Sequence, residues 1–256
     1  MSFAVLAFAV AWKFVAPDAS PVVAMEWKSV LNSPFSAEVR REILPAAVPA
    51  LASINFIEGI ERVVWTPGLV VLEGSFDVPH LRDMAVADGG AVTRHGNLEL
   101  VGSAGNDGTA IALSPGIVLL GSKDVLRAAV DRSEKNKATN PGSTFALWSR
   151  TAGEGFVRHE FGIRLSETIQ LSSTVRYTTE EAARKASENA SAFKLTSSTR
   201  GAEASFSAAL APQDFAKRQW RVAIETLHSS ARTPPASPGK IRIYGLDEGV
   251  KEIPLK

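Results

Sequence analysis

Cysteine is absent from all 256 residues, which excludes disulfides, thiolate nucleophiles, Cys-based metal sites and an anchor built on a lipidated cysteine. Histidine is scarce. His80, His95, His159 and His228 are scattered along the chain, so no His-rich metal site is expected. Neither sign of charge is in excess, with 28 Lys and Arg against 27 Asp and Glu and a formal net charge of +1. Long Lys/Arg runs are missing, and with them the electrostatic footprint of a nucleic-acid binder. No apolar run approaches the roughly 20 residues that cross a bilayer, so no stable transmembrane span is expected. The composition points to no cofactor and no metal.

What is present is apolar bulk. Hydrophobic residues make up 45% of the chain, enough for one large domain or two packed halves. The first eleven residues, MSFAVLAFAVA, end in Ala9-Val10-Ala11, the small-x-small pattern that precedes a secretory cut. The basic residues that usually open a leader are missing. The two readings are a signal segment over residues 1–11 and a buried first strand running into Trp12–Val15. Export is the favoured expectation and a cytoplasmic chain the alternative.

Further along, Pro21–Trp27 is apolar at both parities and reads as a strand buried on both faces. Ser33 and Pro34 suggest a helix start, with the helix ending before Pro45 and a shorter helix over 46–58. From Arg62 the chain is β-rich. Hairpins are predicted around Pro67-Gly68, His95-Gly96 and Ser114-Pro115. A helix carrying Val78, Leu81, Met84 and Ala85 follows the first hairpin, and Ser122 caps one carrying Val125, Leu126, Ala129 and Val130. Ser133–Ser143 is polar and punctuated by Pro and Gly, the best internal boundary.

Beyond the boundary, Thr144–Trp148 and the alternating stretch Phe156–Tyr177 read as strands. Thr178-Thr179-Glu180-Glu181 fits a capping box, opening a helix with Ala182, Ala186, Ala190 and Phe193 inward. A hairpin turns at Arg200-Gly201, and a last helix is expected from Pro212 to His228. The element order of 69–132 recurs at about 164–228, the pattern of an internal duplication. The expected fold is α+β: largely antiparallel sheets, helices packed on one face, and two similar halves at 12–133 and 144–232. Residues 233–256 form a Pro-rich linker and an extended tail. Ile241, Ile243, Tyr244 and Leu246 are its candidate partner-binding residues. Such a tail docks on its own fold or adds to a partner's sheet, the first being the commoner outcome.

No spacing of reactive side chains amounts to an active site. Gly102, Gly105 and Gly108 lie between strands, without the Lys-Ser/Thr of a phosphate loop. The strings Ser191–Lys194 and Ser237–Lys240 lack the companion motifs of acyl-serine enzymes. His95 with Glu99 and His159 with Glu160 could be imagined as base and orienter, but the first pair lies roughly 13 Å apart on extended chain unless the turn folds Glu99 back, and the adjacent residues of the second point to opposite faces. Five Trp (Trp12, Trp27, Trp65, Trp148, Trp220) read as core, or as a ligand platform if they cluster on a groove.

Leu72-Glu73-Gly74-Ser75-Phe76-Asp77, with Leu119-Leu120-Gly121-Ser122 before an Ala-rich helix and the terminal Ile241–Asp247, resembles a group of exported bacterial proteins frequent in acidobacteria. That group carries no assigned activity, so the resemblance implies export and transfers no catalytic residue. The leading expectation is a non-enzymatic cell-envelope protein that binds a protein or ligand through a sheet face or the tail. The alternative is a hydrolase-type enzyme whose site assembles from dispersed Asp, Glu, Ser and His.

Overall fold

The computed structural model describes residues 10–33, 59–87, 89–102, 109–136, 145–166, 168–190, 195–210, 240–245 and 249–254. A 3-10 turn, Ala11–Phe14, leads into β1 (Val22–Glu26) and a short helix α1 (Trp27–Leu31). Then come β2 (Ile60–Thr66), β3 (Leu69–Gly74), α2 (Val78–Ala87), β4 (Ala91–His95), β5 (Leu98–Gly102), β6 (Thr109–Ser114), β7 (Ile117–Ser122) and α3 (Lys123–Lys135). The chain continues through β8 (Leu147–Gly153), β9 (Phe156–Leu165), β10 (Ile169–Tyr177), α4 (Glu180–Asn189), β11 (Thr196–Arg200) and β12 (Glu203–Leu210). A separate hairpin pairs β13 (Lys240–Gly245) with β14 (Gly249–Pro254).

Twelve strands form one antiparallel sheet in the order β11-β12-β10-β9-β8-β1-β2-β3-β7-β6-β5-β4. The α+β class holds. β1 sits in the middle, pairing with β2 on one side and β8 on the other, so strands from both sides of the 133–143 boundary share one sheet. The three hairpins read around Pro67-Gly68, His95-Gly96 and Ser114-Pro115 form in register, as does the one at Arg200-Gly201.

The helices lie on both faces of this sheet, where one face was expected. Consecutive residues of the central strands belong to different cores: Val63 and Leu72 to one, Val64 and Val71 to the other. α1 and α2 cover the first face with Trp27, Val30 and Leu81. α3 covers the second with Leu126, Ala129 and Val130, beside Ala11, Trp12 and Phe14 of the 3-10 turn. The reason lies in the strands: β3 and β7 are apolar at both parities, so each face needs its own cover. The reading of Pro21–Trp27 as one strand is corrected too. The strand stops at Glu26, and Trp27, fully buried, opens α1.

Local signals end the helices as expected. Ser122 Oγ accepts from Val125 N–H at the start of α3, and Asp77 Oδ1 accepts from His80 N–H in the first turn of α2. At α4 the cap is Thr179, whose Oγ1 accepts from Ala182 N–H. Because Ala182 occupies the third helical position, the reciprocal carboxylate bond of a full capping box has no side chain to make it. Ala183 is the buried residue of this helix and Ala190 its buried C-cap, while Ala182 and Ala186 are half-buried. In α2 only Leu81 is buried, and Met84 faces solvent.

Segment 10–20 is stitched down by long-range bonds. Arg132 Nε and Nη2 donate to Phe14 O, Asn136 Nδ2 donates to Lys13 O, and Arg150 Nη2 donates to Pro17 O. Gly74 is held at a bulge: a Cβ there would stand 2.0 Å from Gly59 O, which accepts the Ser75 N–H. The helices expected at 34–45, 46–58 and 212–228, the glycine string after Gly102, Phe193 and the 233–239 linker lie outside the described residues.

Candidate functional site

β8, β9, β10, β12 and β11 alternate along their length, and the two parities make two different faces. One parity is packed: Leu147, Ile163 and Ile169 join the first core, and Val175 and Ala204 lie buried beside α4. The other parity is polar. Register places Arg158, Arg176, Glu203 and Arg200 in one row across β9, β10, β12 and β11. The next row runs Arg150, Glu160, Thr174, Ser205 and Ser198. A third runs Trp148, Gly162, Ser172, Ser207 and Thr196.

This face is a flat grid of hydroxyls bordered by guanidinium groups. Arg176, Thr196, Ser198 and Arg200 are exposed, and Thr174 and Ser205 are half-buried with their hydroxyls 3.5 Å apart. Arg158 and Arg176 stand directly opposite each other, a like-charge placement that costs stability. Arg158 relieves it by an ion pair to Glu160 at 3.1 Å. Among the described residues Arg176 and Arg200 make no ion pair. At the inner end the Phe145 ring lies over Gly162, where a Cβ would come within 2.4 Å of Cδ1, and Arg164 stacks on that ring with its Cζ 4.8 Å from the centroid.

Two other polar clusters were candidates for chemistry. His159 Nε2 lies 2.9 Å from Ser173 Oγ, a diagonal pair between β9 and β10 on the packed face. It is a His–Ser contact, the arrangement an esterase would need, but Ser173 sits in a strand paired on both sides. The neighbouring N–H groups belong to the ladder and leave no oxyanion hole. Glu160 does not orient His159; it turns to the opposite face and takes Arg158. His95 Nε2 meets Asp131 Oδ1 at 2.7 Å rather than Glu99, and Glu99 lies 3.7 Å from Arg82.

Burial holds His159 below the usual histidine range. Its charged form is disfavoured in the fold, so the unfolded chain binds the extra proton and stability is lost as pH falls through the ordinary histidine range. His159→Gln is expected to flatten the dependence of Tm on pH between about 5 and 7. Equal slopes for the two proteins in a thermal melt series would refute it.

The second cluster is buried. Arg62, 3% exposed, donates from Nε to Glu26 Oε1 at 2.6 Å and from Nη1 to Glu73 Oε2 at 3.0 Å. Ala11 N–H also donates to Glu73 Oε2. Burial raises the Glu73 carboxyl above its usual range, against the opposing pull of Arg62. Both carboxylates converge on one guanidinium, which fixes three adjacent strands and leaves neither acid free for proton transfer. Among the described residues no group of three His, Asp or Glu gathers as metal ligands.

Trp12 and Trp148 meet edge to face at 5.6 Å inside the second core, so these two tryptophans are packing. Ile241, Ile243 and Tyr244 lie in β13, which pairs with β14 and with no strand of the large sheet; Leu246 is outside the described residues. The sequence did not single out Arg158, Arg176 and Arg200. The signal was there in part, as polar residues at alternate positions of Phe156–Leu165.

No family model and no curated protein matches this chain. Solved structures do: TP0453 of Treponema, in crystal form III, superposes with a TM-score of 0.52 over 84% of this chain and 98% of that one, at 12% identity. The chain is similar in fold to TP0453. Crystal form I of TP0453 gives a TM-score of 0.53 at 10% identity, over 84% of this chain and 96% of that one. At such identity the likeness to TP0453 is one of fold alone. No helix among the described residues is long and apolar enough to cross a membrane.

Proposed function

We propose that this chain is a non-enzymatic binding protein of the cell envelope, holding a partner protein through the polar face of β8–β12. The observation that carries the reading is the row Arg158, Arg176, Glu203 and Arg200, which concentrates positive charge beside an exposed hydroxyl grid. A face of this kind gives orientation and steering toward an oppositely charged surface. The hydrolase reading loses its best dyad, because His159 and Ser173 have no oxyanion donors beside them. A second reading places binding on the tail. A lone two-stranded hairpin is marginal in water, so β13–β14 gains from a surface to rest on.

Chemical crosslinking in intact cells separates the two. The partner set of the wild-type chain is compared with those of Arg158→Ala/Arg176→Ala and of a chain ending at Ser237. The expected result is a partner lost with the double variant and kept by the truncated chain. Loss on truncation alone moves the function to Ile241, Ile243 and Tyr244. Export is read from the intact mass in each cell fraction. Ala11 is fully buried with its N–H on Glu73, so a cut after Ala11 would remove that donor.

A further inference from the structure

The twelve-stranded sheet ends on one side at β11 and on the other at β4, each with one row of backbone N–H and C=O groups that no strand among the described residues pairs. Such an edge accepts another strand unless something blocks it. β11 reads Thr196-Ser197-Ser198-Thr199-Arg200, with four β-tolerant hydroxyl residues, no Pro, no Lys and no bulge against β12. Four of its five residues are exposed.

Charge separates the two edges. On β4, Arg94 stands opposite Glu99, one cation to one carboxylate. At β11, Glu203 stands in register between Arg200 and Arg176 with Arg158 next in the row, and Glu180 Oε1 lies near Gly201 at the turn. The excess of positive charge therefore borders β11. The chain's own hairpin is a poor occupant for this edge, since its strands carry Lys240, Arg242 and Lys251 against a single carboxylate, Glu252. Two copies of β11 side by side would offer Arg200 no carboxylate, since the strand reads Thr-Ser-Ser-Thr-Arg.

We propose that β11 is a docking edge for an extended acidic segment of a partner protein, which adds to the sheet as a further strand with its carboxylates toward Arg200. Backbone bonds along Thr196–Arg200 would supply affinity, and the Arg200 guanidinium would select for acid. The proposal rests on the binding reading above and names its partner chemistry.

The test is selection of a displayed library of random decapeptides on the full-length protein, followed by hydrogen exchange with the best synthetic decapeptide. Enriched sequences should alternate Asp or Glu with β-branched residues. Binding should slow exchange of amides within Thr196–Arg200, and Arg200→Glu should weaken it by about tenfold or more. Thr199→Pro, confirmed folded by its thermal melt, should abolish it, because Thr199 N–H faces the open edge and proline removes that donor. Arg200→Glu leaves the backbone intact, so it decides the matter if Thr199→Pro unfolds. No enrichment, or enrichment without acidic residues, would overturn the proposal. Acidic peptides that bind with no slowing at 196–200 would overturn the edge and leave the face reading standing. Protection of the β11 amides by a second copy, with no peptide present, would assign the edge to self-association instead.

Discussion

Arg62→Met is expected to lower the unfolding free energy by about 3–5 kcal/mol, the usual penalty for removing one partner from a buried ionic cluster. The geometry explains the size. Arg62 bridges Glu26 and Glu73, and it is buried where both carboxylates have lost much of their water. Without it, two like charges face each other across β2. Urea titration at neutral pH, read at constant slope, measures the loss. Two companion results mark the mechanism. The deficit should shrink as pH falls through the carboxylate range, because protonation removes the stranded charges. Arg62→Met/Glu26→Gln/Glu73→Gln should recover most of the lost stability, since uncharged partners no longer need a guanidinium. A triple variant as unstable as the single one would mean that Arg62 acts through packing.

The second large effect belongs to Trp27. Its side chain is fully buried in the core it shares with Met25, Val63, Leu72 and Leu147, and it is the first residue of α1. Trp27→Ala removes the largest side chain of the first core and is expected to cost about 3–5 kcal/mol. Trp65→Ala serves as the control, since Trp65 is only half-buried, and should cost clearly less. Equal losses in the two variants would show that α1 is not what closes that face.

What could be read from the sequence was local. Pro67-Gly68 and Ser122 announce a turn and a helix start by their own chemistry, and each stands where it was read, whereas the capping box read at Thr178–Glu181 is replaced by a simple cap on Thr179. The Arg62 cluster and the arginine row were not legible, because register brings their members together from distant strands. Arg158, Arg176 and Arg200 come from three strands, and nothing in the spacing of those numbers fixes a shared row. The same limit explains the misplaced helices. Apolar residues at both parities of β3 and β7 said that both faces were covered, yet the amphipathic stripes of α2 and α3 carry no sign of which face each takes. α1 was hidden because Trp27 extends an apolar run that reads equally well as strand.

The place of β1 has a consequence in time. Met25 faces Val63 on one side and Leu147 on the other. Its first neighbour follows soon in synthesis, whereas its second leaves the ribosome only after most of the intervening sequence, a delay on the order of 10 s at ordinary elongation rates. Throughout that interval the nascent chain presents the future middle of its sheet as a bare hydrogen-bonding margin. A chain that stalls before Leu147 would keep that margin open and aggregate through it.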